Sequence, residues 1–173
     1  MHTQWTEKLA DGTSVLIRPI RPDDTERERA FIEGLSQQSR YFRFLDAMRS
    51  PSSSLIKQLT EIDQSRDAAF AALIGADPSQ RIIGVARYSL CGDGESCECA
   101  VSVADEFQRR GLGTLLMRHL IEHARARGIK SLYSLDAADN GSMWGFAKRL
   151  GFEHKIDEQD STLVVHRLKI AAA

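Results

Sequence analysis

Cysteine is scarce in this chain. Its 173 residues include three, Cys91, Cys97 and Cys99. So small and odd a number excludes a disulfide framework and fits free thiols in a reducing compartment. No apolar run approaches the roughly 18 residues that a membrane span requires. The opening residues, MHTQWTEKLADG, lack the apolar stretch of a secretory signal. A cytoplasmic protein with no membrane partner is the expectation. Neither charge sign is in excess: Lys and Arg number 23 and Asp and Glu 24, a net of −1. That balance argues against a nucleic-acid partner, for which a basic surplus is expected. Repeats are absent, and so are low-complexity tracts beyond the alanines at 171–173. Hydrophobic residues at 42% and charged ones at 27% exclude a largely disordered chain. The length implies one domain, spanning 1–173.

The elements come in mixed order. Residues 13–18 (TSVLIR) are β-branched and apolar between Asp11-Gly12 and Pro19, which predicts a strand. Pro22-Asp23-Asp24 opens a helix carrying Ala30, Phe31 and Leu35. The aromatic-rich 39–45 (SRYFRFL) reads as a short turn or helix, and Pro51 with three serines caps a helix bearing Leu55, Ile56, Leu59 and Ile62. Runs 68–74 and 81–90 form a hairpin, and 96–103 a further strand. Residues 112–127 carry the clearest helical stripe, Leu112, Leu115, Leu116, Leu120 and Ala124, with Gly128 just past its end. A strand at 129–135, a helix at 142–150 and strands at 152–156 and 163–168 complete the chain. This order predicts an α/β fold, a mixed central sheet of about seven strands with helices on both faces.

The most informative segment is Gln108-Arg109-Arg110-Gly111-Leu112-Gly113-Thr114, between the strand ending at Val103 and the long helix. Two glycines permit a tight turn with bare N–H groups. A helix N-terminus adds about half a positive charge, so the segment is suited to a phosphate or diphosphate. Arg109 and Arg110 can add charge-assisted bonds. No Gly-Lys-Ser/Thr follows, so this is not a P-loop, and the third glycine of a dinucleotide fingerprint is missing. The alternative is an ordinary strand-to-helix turn with solvated arginines.

The string QRRGLG, after the strand CECAVSV and before an amphipathic helix, resembles the acetyl-CoA-binding signature of the GCN5-related N-acetyltransferases (GNAT). That family's pattern is Q/R-x-x-G-x-G/A, met here by Gln108, Gly111 and Gly113. Asn140 and the downstream Leu150-Gly151-Phe152 are similar to the family's second half. Three segments, 11–24 (DGTSVLIRPIRPDD), 35–44 (LSQQSRYFRF) and 82–88 (IIGVARY), resemble the acetyltransferase domain of bacterial protein-lysine acetyltransferases. Those proteins often carry an acyl-CoA-synthetase-like or cyclic-nucleotide-binding domain, for which 173 residues leave no room.

The resemblance implies a GNAT-like fold and transfer of an acetyl group from acetyl-CoA to a primary amine, a protein lysine or a small molecule. It implies that the amides of residues 109–113 hold the diphosphate. The strand from Val101 to Val103 would then pair with the pantetheine arm, and a free N–H near Val101 would serve the oxyanion. It also implies contact between Asn140 and pantetheine, a role that a helix cap could fill instead. Gln108, Leu112 and Thr114 complete the expected cofactor contacts. A homodimer is the family habit.

A lysine-type amine costs about 4.6 kcal/mol to hold neutral at pH 7, so a base is needed. Glu98 stands where the similar lysine acetyltransferases carry their catalytic Glu. Strand alternation puts it on the face of Ala100 and Ser102, opposite Cys97 and Cys99. A charged residue on a solvated face is the plain alternative, and Glu95 is a second choice. Many relatives carry a Tyr seven residues after the Asn as an acid for the leaving thiolate. Here that position is Ala147, and a thiol pKa near 8.5 makes the acid dispensable. The same absence leaves a second functional class open, a non-catalytic CoA- or nucleotide-binding sensor or partner subunit.

Other signals have plainer explanations. His119 and His123 spell H-x-x-E-H with Glu122, but no distant third ligand is identifiable, so no metal is expected. Cys97 and Cys99 read as small core residues, as do Trp144 and Phe146. The basic 125–130 ends a helix, where cations suit the dipole.

Overall fold

The computed structural model describes residues 4–171. The ends of the expected 1–173 domain, including the last two alanines, lie outside the described residues. Eight strands form one sheet in the order β1-β2-β3-β4-β5-β6-β8-β7. They are β1 (Trp5–Lys8), β2 (Ser14–Pro19), β3 (Asp67–Ile74), β4 (Arg81–Leu90), β5 (Ser96–Val103), β6 (Ser131–Ala137), β7 (Glu153–Ile156) and β8 (Leu163–Lys169). The helices are α1 (Thr25–Gly34), α2 (Gln37–Phe44), α3 (Ser53–Thr60), α4 (Leu112–Ala126) and α5 (Gly141–Arg149).

The expected α/β architecture is present, with one strand more than the seven anticipated. The additional strand is β1, WTEK, whose half-buried Trp5 and Glu7 alternate with exposed residues. With only one apolar residue in four positions it carries no strand pattern of its own. The aromatic segment after residue 35 is a helix, α2: the Ser36 hydroxyl accepts from the Ser39 amide, and Leu45 ends it at φ 51°. The chain therefore has three helices before β3.

Two cores flank the sheet. On one face Phe31 and Ile32 of α1 and Ile56 and Leu59 of α3 pack on Ala71, Leu73, Ile82 and Val85. On the other, Leu112, Leu116, Leu120 and Ala124 of α4 meet Phe70, Ile83, Cys97, Cys99 and Leu132. The periodic stripe of α4 is thus buried except for half-buried Leu115, each buried leucine contributing about 2 kcal/mol. Gly84 sets how close α4 comes: a Cβ there would stand 2.9 Å from Leu116 Cδ1 and 3.2 Å from Leu112 Cδ2. Among the described residues no helix is long and apolar enough to cross a membrane.

Every pairing described in the sheet is antiparallel except β5 with β6. That parallel pairing stops early. It holds Ser96 to Ser131, Cys97 to Leu132 and Glu98 to Tyr133, and then ends. Beyond it β4 holds β5 as far as Gly84↔Val103, and β8 holds β6 as far as Ala137↔Leu163. Each strand stays anchored on its outer side while the two inner edges separate. The sheet therefore opens between β5 and β6.

Candidate active site in the opening of the sheet

A cleft of about 890 Å³ occupies this opening, with Glu98, Val101 and Val103 on one lip and Ser134 and Asp136 on the other. The direction of the β5 amides follows from one hydrogen bond. Just past the strand, the Ala104 N–H donates to Ile83 O at 2.9 Å, one step beyond the Gly84↔Val103 pair. Amides alternate sides along a strand, so Ser102 and Ala100 turn theirs to β4. Val103, Val101 and Cys99 turn theirs to the other side, where Cys99 still faces β6 at the Glu98↔Tyr133 pair and Val101 and Val103 face the gap. The Val103 carbonyl agrees: it accepts from Gln108 Nε2 at 3.1 Å instead of from a strand.

At the wide end of the gap lies the loop before α4. Arg109 and Gly111 both have positive φ, 59° and 87°, with Gly111 as the N-cap. The alternation folds the backbone into a concave turn of the kind that cradles anions. Among the described residues the amides of 109–114 make no hydrogen bond, so six donors stand together at a helix N-terminus. Gly113 permits the close approach of α5: a Cβ there would lie 3.3 Å from the Phe146 ring.

The other anticipated residues divide. Arg109, Gly111, Gly113 and Thr114 line the cleft. The Leu112 side chain is buried in the core, leaving only its amide for a ligand. The Arg110 side chain turns away, to Asp11 at 2.9 Å and over the Phe107 ring at 5.1 Å, while its carbonyl accepts from the Ala10 amide. Gln108 braces the loop, donating to Val103 O at 3.1 Å and to Ser39 Oγ at 3.4 Å. Asn140 Oδ1 accepts from the Met143 amide at 3.3 Å and from Ser142 Oγ at 3.0 Å. It therefore caps α5, while the residue also lines the cleft. Ala147 is buried against the same cleft.

Glu98 is exposed in the cleft wall, at the last paired step before the strands diverge. Glu95 lies outside the cleft, its carboxylate held by Lys130. The two groups that sequence reasoning missed here are Arg43 and Asp136. Asp136 is buried; that burial raises its carboxyl pKa, against the Ser134 hydroxyl bonded to it at 2.6 Å and His166 at 3.8 Å. An aspartate inside the apolar strand SLYSLDA was the signal for it. Arg43 lies in the aromatic-rich 39–45, where nothing in the sequence sets it apart.

The histidines of H-x-x-E-H have separate partners. His119 Nε2 meets Glu7 at 2.9 Å and its ring stacks on Trp5 at 4.2 Å, while His123 Nδ1 faces the Tyr88 hydroxyl at 2.8 Å. Cys97 and Cys99 are buried, as expected of core residues, and burial pushes the Cys97 thiol up to about 11.

Comparison with known proteins gives the family and the fold. Residues 21–152 match the model of the acetyltransferase (GNAT) family. The chain is 46% identical over 166 residues to Acetyltransferase PA5475 of Pseudomonas aeruginosa, covering 96% of this chain and 89% of that protein. It is 31% identical over 145 residues to Acetyltransferase Pat of Mycolicibacterium smegmatis, covering 83% of this chain and 43% of that one. The GNAT domain of S. lividans PAT superimposes with a TM-score of 0.89 at 27% identity over 97% of each chain.

Proposed function

The chain belongs to the GNAT family of acetyltransferases, and from that premise we propose that it moves the acetyl group of acetyl-CoA to a primary amine, with Glu98 as the general base. A protein lysine is within the acceptor class, and the cytoplasm is the compartment that fits. When bound, acetyl-CoA supplies the activated acyl group. The residues present fit it: the bare amides of 109–114 suit a diphosphate, and the unpaired edge of β5 suits an extended, amide-bearing arm.

Each residue then has a defined task. The loop amides and Arg109 bind the diphosphate. Val101 and Val103 offer strand-like hydrogen bonds to the arm, the Val101 N–H being the donor aimed at the acyl oxygen. Glu98 takes the proton of the attacking amine, whose neutral form costs roughly 4.6 kcal/mol at pH 7. No side chain at position 147 protonates the leaving thiol; its pKa near 8.5 lets it depart as thiolate.

The observation that carries this reading is the early end of β5–β6 pairing at Glu98, beside a loop of unbonded amides. The test is thiol release from acetyl-CoA over an amine panel at pH 7 to 9. Glu98→Gln is expected to bind CoA normally and lose about 10²- to 10⁴-fold in kcat near pH 7. Unchanged turnover removes Glu98 from the mechanism. Binding with no turnover on any amine favours the non-catalytic CoA-binding module instead.

A further inference from the structure

Four arginines form two groups: Arg18 and Arg27 around Asp24, and Arg43 and Arg87 around Glu28. Three of them are paired with acids. Arg18 holds Asp24 through two bonds of 2.7 and 2.8 Å. Arg27 reaches Asp24 at 3.4 Å and Asp77 at 2.9 Å. Arg87 meets Glu28 at 2.9 Å. Arg43 has neither a hydrogen bond nor an ion pair among the described residues; its guanidinium carbon lies 4.7 Å from the Phe44 ring centre. Burial and the like charge of Arg87 draw its pKa down to about 10, so it remains a cation. It is a cation with unused donors: Glu28, Glu98 and Asp136 act on it through their charge, but none forms an ion pair with it. Such a group in a cleft wall is complementary to a ligand anion.

The surroundings of Arg43 locate that anion. The residue lines both the main cleft and a small void of about 10 Å³, beside Glu28 and Ser102. Glu28 Oε2 and Ser102 Oγ are buried there without partners. A void this size takes one water at most, which occupies one edge of a fork with five donors. The rest of the fork is left for the cleft. Ser102 and Glu98 share a face of β5, so Arg43 stands on the side of the sheet where the amine must give up its proton. The donor's elements, the 109–114 loop and the open β5 edge, belong to the other end of the cleft.

On the acetyltransferase reading above, we propose that Arg43 is a carboxylate-binding residue of the acceptor subsite. The acceptor is then a primary amine with a carboxylate a few atoms from its nitrogen, of the amino-acid class. The planar fork matches a carboxylate in two-point contact. Glu98 and Asp136, which also face this end of the cleft, disfavour a more highly charged anion such as phosphate.

The experiment measures thiol release from acetyl-CoA with the common amino acids and with the matching amino-acid amides. Wild type is expected to favour acids over amides by about tenfold or more in kcat/KM, carried by KM, as for a charge-assisted hydrogen-bond pair. In Arg43→Gln that ratio is expected to fall toward one, with Arg43→Lys between. Equal use of acids and amides by wild type overturns the proposal, and this arm needs no variant to fold. A uniform fall of kcat in Arg43→Gln with the ratio intact also overturns it, assigning Arg43 to the support of Glu98. Succinyl-CoA forms a further arm: an Arg43-dependent preference for it over acetyl-CoA would put the carboxylate on the donor and overturn the acceptor assignment. Absence of thiol release with every amine overturns the acetyltransferase reading itself, an outcome distinct from equal turnover of acids and amides.

Discussion

Arg109 is held at φ 59°, a left-handed backbone that a residue with a Cβ adopts at a cost of about 1 kcal/mol or more. Strain of this kind persists where the local shape has a use, and here it helps leave six amides unbonded. Replacing Arg109 by Gly separates shape from charge. Glycine relieves the strain but adds freedom to the unfolded chain, so stability is expected to change by no more than about 1 kcal/mol in urea unfolding. CoA affinity by titration calorimetry should fall about three- to tenfold through loss of one cation. Unchanged affinity would mean that the Arg109 side chain has no part in holding the diphosphate. At this scale sequence reading was uneven. Gly111 and Gly113 declare themselves by spacing, because their use is local. Arg110 looked equivalent to Arg109, but Asp11, 99 positions away, takes its side chain. Arg43 likewise could not be distinguished from its neighbours, because what marks it is the lack of a partner in three dimensions.

The opening between β5 and β6 is a property of elements, and no residue pattern announces it. The run CECAVSV reads as a strand throughout, and the strand expected at 129–135 lies at 131–137, shifted by two residues toward Asp136. Where pairing stops depends on which neighbour each edge keeps, which the linear pattern does not encode. The elements themselves were legible wherever periodicity was long, as in α4, and β1 was not, being four residues with a single apolar member. The position of α4 against the sheet makes a testable case. Gly84 lies under Leu116, and a methyl there would sit 2.9 Å from Cδ1, closer than packed atoms tolerate. Gly84→Ala is expected to cost about 1–3 kcal/mol by overpacking. Leu116→Ala alone should cost about 2–5 kcal/mol through the cavity it leaves. If the two are in contact, the double variant should lose less than the sum, because each substitution relieves the other. Strict additivity in denaturant unfolding would show that α4 does not rest on Gly84.

Across the whole molecule, mixed element order pointed to an α/β fold, but the surroundings of its titratable groups could be found only in the structure. They make stability depend on pH with opposing signs. His166 and His123 have pKa values lowered from 6.5, in each case chiefly by burial. The unfolded chain therefore binds more protons than the folded one below 6.5, and their contribution is present above that pH and lost as pH falls through the folded values. Asp136 and Glu28 have carboxyl pKa values raised by burial, from 3.8 and 4.5. Their contribution runs the other way, lost as pH climbs above those ordinary values. The total curve mixes the two, so the readout that isolates one group is a difference between proteins. His166→Gln removes one histidine term, and on acidification from about pH 7.5 to 5.5 its Tm should fall less than that of wild type, whatever its starting value. His166 is 1% exposed with both ring nitrogens unpartnered, so protonating it in place would set a charge in the core, relieved only by Asp136 at 3.8 Å. Parallel Tm curves for the two proteins across this interval would mean that His166 takes up its proton in the folded state as readily as in the unfolded one. The β6–β8 interior would then be wetter or more acidic than its packing implies.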